Sequence, residues 1–66
     1  MRILVNGKDM ICADRSTVLD LLTELRLSAD AILVERNAHI LPRAGYETTV
    51  LTEGDSLELI RFVGGG

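Results

Sequence analysis

Sixty-six residues, 47% of them apolar, carry seven Lys and Arg against ten Asp and Glu; a chain of this size buries only roughly 60% of its unfolded surface and has no room for a cleft between two domains. The net charge of −3 comes with no Lys or Arg stripe of the kind a phosphate backbone requires, which argues against nucleic acid. One cysteine, Cys12, and one histidine, His39, exclude an intramolecular disulfide, a four-ligand Cys/His zinc site and a cysteine-held iron–sulfur cluster.

The amino-terminal run Met1 to Gly7 is too short and too weakly apolar for a signal peptide, and no stretch approaches the roughly 18 apolar residues of a spanning helix. The expectation is a soluble protein of a reducing, cytoplasmic compartment, with no membrane partner. Asn6-Gly7 separates two β-prone runs, Arg2 to Val5 and Lys8 to Cys12. Asn-Gly is the favoured pair for a two-residue type I′ turn, since both central positions need positive φ. A hairpin closed there puts Met1, Ile3, Val5, Met10 and Cys12 on one face. Arg2, Leu4, Asp9 and Ile11 fall on the other.

At Ser16 the period changes. Val18, Leu21, Leu22 and Leu25 lie at i, i+3, i+4 and i+7, the stripe of an amphipathic helix of about ten residues. Ser16 or Thr17 is placed to cap its first turn, where Asp20 complements the positive helix end. Ala31 to Glu35 reads as a third strand, with Ile32 and Val34 pointing inward and Leu33 and Glu35 outward. Arg36 to His39 reads as a turn, and Leu41 to Gly45 as irregular, because Pro42 lacks a ladder donor. Thr48 to Leu51 is expected as a short strand and Glu53-Gly54-Asp55 as a turn. Leu57 to Val63 forms the last strand, with Leu57 and Leu59 inward and Glu58, Ile60 and Phe62 outward. The order predicts an α+β roll: a mixed sheet of four to five strands with one helix packed on one face. Residues 1–63 form the domain, and Gly64-Gly65-Gly66 a flexible tail.

Few side chains offer chemistry. Cys12 falls on the core face, where a thiol behaves as a small hydrophobe. His39 lies in a polar turn with no nucleophile at a recognisable spacing. Glu35, Glu53, Asp55 and Glu58 are scattered over strands and turns and read as solvated surface charge, so no catalytic or metal-binding set emerges. The outward face collects Leu4, Ile11, Leu33, Ile60 and Phe62 among Arg2, Asp9, Glu35 and Glu58. An apolar patch with a charged rim is what a protein-docking surface looks like; cover by the charged side chains is the competing reading. The three glycines open no helix and match no phosphate loop. They are either a frayed end or a tail slim enough, without Cβ atoms, to thread a narrow channel and present an α-carboxylate to a partner.

Val5-Asn6-Gly7, Thr17 to Leu22, Val34 to Asn37, Ile40 to Arg43, Glu53-Gly54-Asp55 and Phe62 to Gly66 occur in one order over the whole chain. In these stretches the sequence resembles the ThiS family, the ubiquitin-like, β-grasp sulfur carriers of thiamine thiazole biosynthesis. The resemblance implies that Gly66 is adenylated by an E1-like, ThiF-type enzyme and converted to a thiocarboxylate, with Gly64 and Gly65 threading the partner's site. It implies no bound cofactor, ATP being used by the adenylating partner. A cysteine desulfurase or other donor would supply sulfur, and a ThiG-type thiazole synthase would receive it. On this reading the protein is a co-substrate and not an enzyme, and Leu4, Leu33, Ile60 and Phe62 form the docking patch. A chain continuing past Gly66 would need a protease to expose the carboxylate. The small subunit of molybdopterin synthase, which also ends in Gly-Gly, and a binding module with incidental glycines are the alternatives.

Overall fold

The computed structural model describes residues 1–62. Strands β1 (Arg2–Val5) and β2 (Lys8–Ile11) form the amino-terminal hairpin with Ile3 opposite Met10, as the Asn-Gly turn requires. Asn6 and Gly7 have φ of 51° and 80°, the double positive φ of a type I′ turn. Helix α1 (Val18–Glu24) follows. Thr17 accepts a hydrogen bond from the Asp20 amide while the Asp20 carboxylate accepts one from the Thr17 amide, a complete capping box. The helix is seven residues long, shorter than the apolar stripe suggests. Leu25 caps it and Arg26 turns left-handed with φ 59°, so Leu25 and Leu27 reach the core edge from beyond the helix.

Strand β3 (Ile32–Arg36) pairs antiparallel with β4 (His39–Leu41) through a second tight turn at Asn37 and Ala38, whose φ values are 51° and 70°. β4 replaces the short strand expected at Thr48 to Leu51, which makes only the isolated bridge Thr17↔Val50. Pro42 ends β4 and leads into a 3₁₀ turn at Arg43–Gly45. β5 (Ser56–Arg61) then runs up the middle of the sheet, parallel to β1 and antiparallel to β3, giving the order β2-β1-β5-β3-β4.

The core lies between α1 and one face of this sheet. Ile3, Val18, Leu21, Leu22, Val34 and Leu57 are the largest fully buried side chains, each contributing roughly 1.5–3 kcal/mol by removal from water. Tyr46 and Leu51 complete the core from the connection between β4 and β5. The Tyr46 hydroxyl donates to the Ile32 carbonyl at 2.7 Å. Along β3 the backbone groups of Ile32, Val34 and Arg36 face β4, whose last pairing is Val34↔Leu41. Tyr46 therefore satisfies the acceptor one step past the end of β4.

Candidate functional site

β5 is the central strand, and in sequence it is the last element before the glycines. Gly64, Gly65 and Gly66, expected to thread and to react, lie with Val63 outside the described residues. What the structure does describe is the strand that feeds them and the surface beside it.

On β5 the alternation holds as far as Ile60: Leu57 is buried and Leu59 half-buried, while Glu58 and Ile60 are exposed; Arg61, the last strand residue and expected to face inward, is exposed, and Phe62, also exposed, follows the strand instead of lying inside it. The helix-free face is read from the registers. Leu33 stands opposite Ile60, Glu35 opposite both Glu58 and Ile40, and Leu4 opposite Ser56 and Asp9. Leu4, Ile60 and Phe62 are exposed as expected, Phe62 at 51%. Leu33 points to the same face but is half-buried. Ile40 is 65% exposed and joins this face from β4, a member the sequence reading missed because β4 itself was read as turn and irregular chain.

At the centre of the face Glu35 and Glu58 are directly opposed across β3 and β5. Like charges in that relation destabilise a sheet. Neither carboxylate belongs to an ion pair among the described residues. Arg36, the neighbouring cation, points to the other side and is engaged by Asp55.

Asp55 corrects the expectation of a solvated carboxylate, being 5% exposed. Its oxygens accept from Arg36 Nε at 3.0 Å, Asn37 Nδ2 at 3.1 Å, the Thr52 amide at 2.9 Å and the Thr52 hydroxyl at 3.0 Å. Burial pushes the carboxyl pKa up, but the hydrogen bonds from Thr52, Asn37 and Arg36 outweigh it and hold the group below its ordinary value. Asn37 also accepts from the Ser56 amide at 2.9 Å. The Arg36-Asn37 corner and the Glu53-Gly54-Asp55 turn thus form a single polar junction around the buried Asp55 carboxylate, and it fixes where β5 begins.

Cys12 is buried at the core margin, and burial pushes its thiol pKa up, away from a nucleophilic thiolate. His39 is exposed, with Nδ1 3.0 Å from the Asn37 carbonyl oxygen. No group of three or more His, Cys, Asp or Glu among the described residues is placed to hold a metal. No helix there is long and apolar enough to cross a membrane.

A five-stranded mixed sheet with β1 and β5 parallel at its centre, and one helix laid across a single face, defines a ubiquitin-like β-grasp protein. Residues 3–66 match the ThiS family, and the chain belongs to it. The sulfur carrier protein ThiS of Bacillus subtilis is 38% identical over 63 residues, covering 94% of this chain and 96% of that one. The crystal structure of the thiamine biosynthesis protein ThiS from Geobacter metallireducens superposes with a TM-score of 0.86 at 35% identity, over the full length of both chains. A thiazole synthase of Paramagnetospirillum magneticum is 36% identical over 66 residues; this chain spans only 20% of its length.

Proposed function

We propose that this protein is a sulfur carrier for formation of the thiazole moiety of thiamine, and that Gly66 bears the reactive carboxylate. The observation that carries the reading is the family match, which runs through the body of the fold to residue 66. A carboxylate is a poor electrophile and must be activated. One of its oxygens attacks the α-phosphorus of ATP and pyrophosphate leaves; a sulfur nucleophile then bonds to the acyl carbon as AMP departs. The partner supplies the nucleotide and the catalytic groups, and the carrier supplies a slim terminus on a docked body.

Gly64 and Gly65 thread the partner's channel in this scheme. The body docks through the helix-free face, where Leu4, Ile60, Phe62 and the half-buried Leu33 surround an acidic centre. A cysteine desulfurase or another donor provides sulfur to an E1-like adenylating enzyme, and a thiazole synthase accepts it. The thiazole synthase assignment is supported by the relative of that name, in which the stretch similar to this chain is a minor part of a longer protein.

Deleting Gly65 and Gly66 tests the reading. The truncated protein keeps its fold and loses all capacity to support thiazole formation with the adenylating enzyme. Retained function in the truncated protein would assign the chain to the binding-module class instead.

A further inference from the structure

We propose that Asn6 is a positioning residue for the terminal chemistry, its side chain acting as a surrogate peptide group that fixes the direction of the outgoing half of β5. The inference rests on the sulfur-carrier reading above.

The pairing of β1 with β5 ends at Val5↔Leu57, because Asn6 is already the first residue of the hairpin turn. The backbone groups of a strand alternate sides. Those of Glu58 and Ile60 face β3, as does the Phe62 amide, which donates to the Ala31 carbonyl at 3.3 Å. Those of Leu57, Leu59 and Arg61 face the β1 side, where β1 has run out. Asn6 fills that gap. Its amide donates to the Leu57 carbonyl at 2.9 Å, its Oδ1 accepts from the Leu59 amide at 2.8 Å, and its Nδ2 donates to the Leu59 carbonyl at 3.4 Å. The carboxamide thus reproduces the donor and acceptor that one more β1 residue would present.

The turn alone does not ask for this residue. Gly and Asp also tolerate the left-handed conformation that Asn6 adopts. Only a carboxamide of this length both accepts from and donates to Leu59. Without it the stretch from Glu58 to Phe62 is held from the β3 side alone, and its outgoing end samples a wider range of directions. Threading then carries an added ordering cost that falls on binding and not on the chemical step.

The experiment compares wild type, Asn6→Gly and Asn6→Asp in ATP–pyrophosphate exchange with a ThiF-type adenylating enzyme, alongside amide hydrogen exchange. Asn6→Gly keeps the turn, exchanges its Leu59 amide faster, and raises KM for the carrier about three- to tenfold, the scale of one net hydrogen bond, with kcat unchanged. Asn6→Asp retains the acceptor, restores protection at Leu59 and falls between the two in KM; it also serves as the test should Asn6→Gly not fold. An unchanged KM in Asn6→Gly, unchanged Leu59 protection, or a fall confined to kcat would overturn the inference while leaving the carrier reading intact. Absence of exchange with the wild-type protein would overturn the carrier reading and this inference with it.

Discussion

Arg36 holds Asp55 by two nitrogens, Nε and Nη2, each 3.0 Å from the same carboxylate oxygen, and this contact ties the end of β3 to the turn that starts β5. Two stretches distant in sequence, Arg36-Asn37 and Thr52 to Asp55, are therefore halves of one junction around a buried carboxylate. Asp55→Ala leaves Thr52, Asn37 and Arg36 without their acceptor and is expected to lower stability by about 2–3 kcal/mol in urea denaturation at neutral pH.

The same junction sets an acid limit. The folded carboxyl titrates below its unfolded counterpart, so its contribution is complete above the unfolded pKa of about 3.9 and is lost as pH falls through the lower folded value. Wild type is therefore expected to lose stability in that acid window, whereas Asp55→Ala shows a shallower dependence there. Parallel pH profiles for the two proteins would remove Asp55 as the source.

Tyr46 is a second structural anchor. Tyr46→Phe keeps the ring in the core but leaves the Ile32 carbonyl without its donor, and is expected to cost about 1–2 kcal/mol. A thermal denaturation curve coinciding with that of wild type would show that water replaces the hydroxyl at no cost.

Glu35 and Glu58 predict the opposite sign. Glu58→Gln removes a direct cross-strand repulsion and is expected to stabilise the isolated protein by roughly 0.2–1 kcal/mol. The gain shrinks as salt screens the pair. A loss of stability would mean that the carboxylate has a favourable role in the free fold.

The docking face is tested at its exposed members. Phe62→Asp is expected to change folding stability by no more than about 0.5 kcal/mol and Ile60→Asp, in the central strand beside Glu58, to cost about 1 kcal/mol; both are expected to weaken capture by the adenylating enzyme roughly tenfold or more. Leu33→Asp is a poorer probe, because Leu33 is half-buried and its replacement loads the fold as well as the face. Unchanged capture by the exposed variants would move the interface elsewhere.

Legibility followed the range of the interactions. The Asn6-Gly7 hairpin, the Thr17 cap with Asp20, and the inward and outward residues of β3 and β5 rest on neighbours a few positions apart, and all were readable from turn chemistry and periodicity. β4 was not, since a three-residue strand bounded by His39 and Pro42 carries too little pattern. Asp55 looked like turn polarity because its partners Arg36 and Asn37 meet it only in the folded sheet. Tyr46 gave no sign of being core, as it sits in an irregular connection and meets the core and its hydroxyl's acceptor, the Ile32 carbonyl, only in the folded chain. Of the site, the exposed positions Leu4, Ile60 and Phe62 followed from alternation, Ile40 required β4, and the Asn6 side-chain contact with Leu59 required the parallel pairing of β1 with β5.

The central claim concerns the Gly66 carboxylate, and intact-mass analysis addresses it most directly. The protein is incubated with an E1-like adenylating enzyme, ATP and a sulfur source, then weighed with and without ATP. An ATP-dependent gain equal to the replacement of one oxygen by sulfur, located by fragmentation at the terminal glycine, is the expected result. An unchanged mass under conditions where a known ThiS protein is converted, or a sulfur gain located at Cys12, would contradict the account.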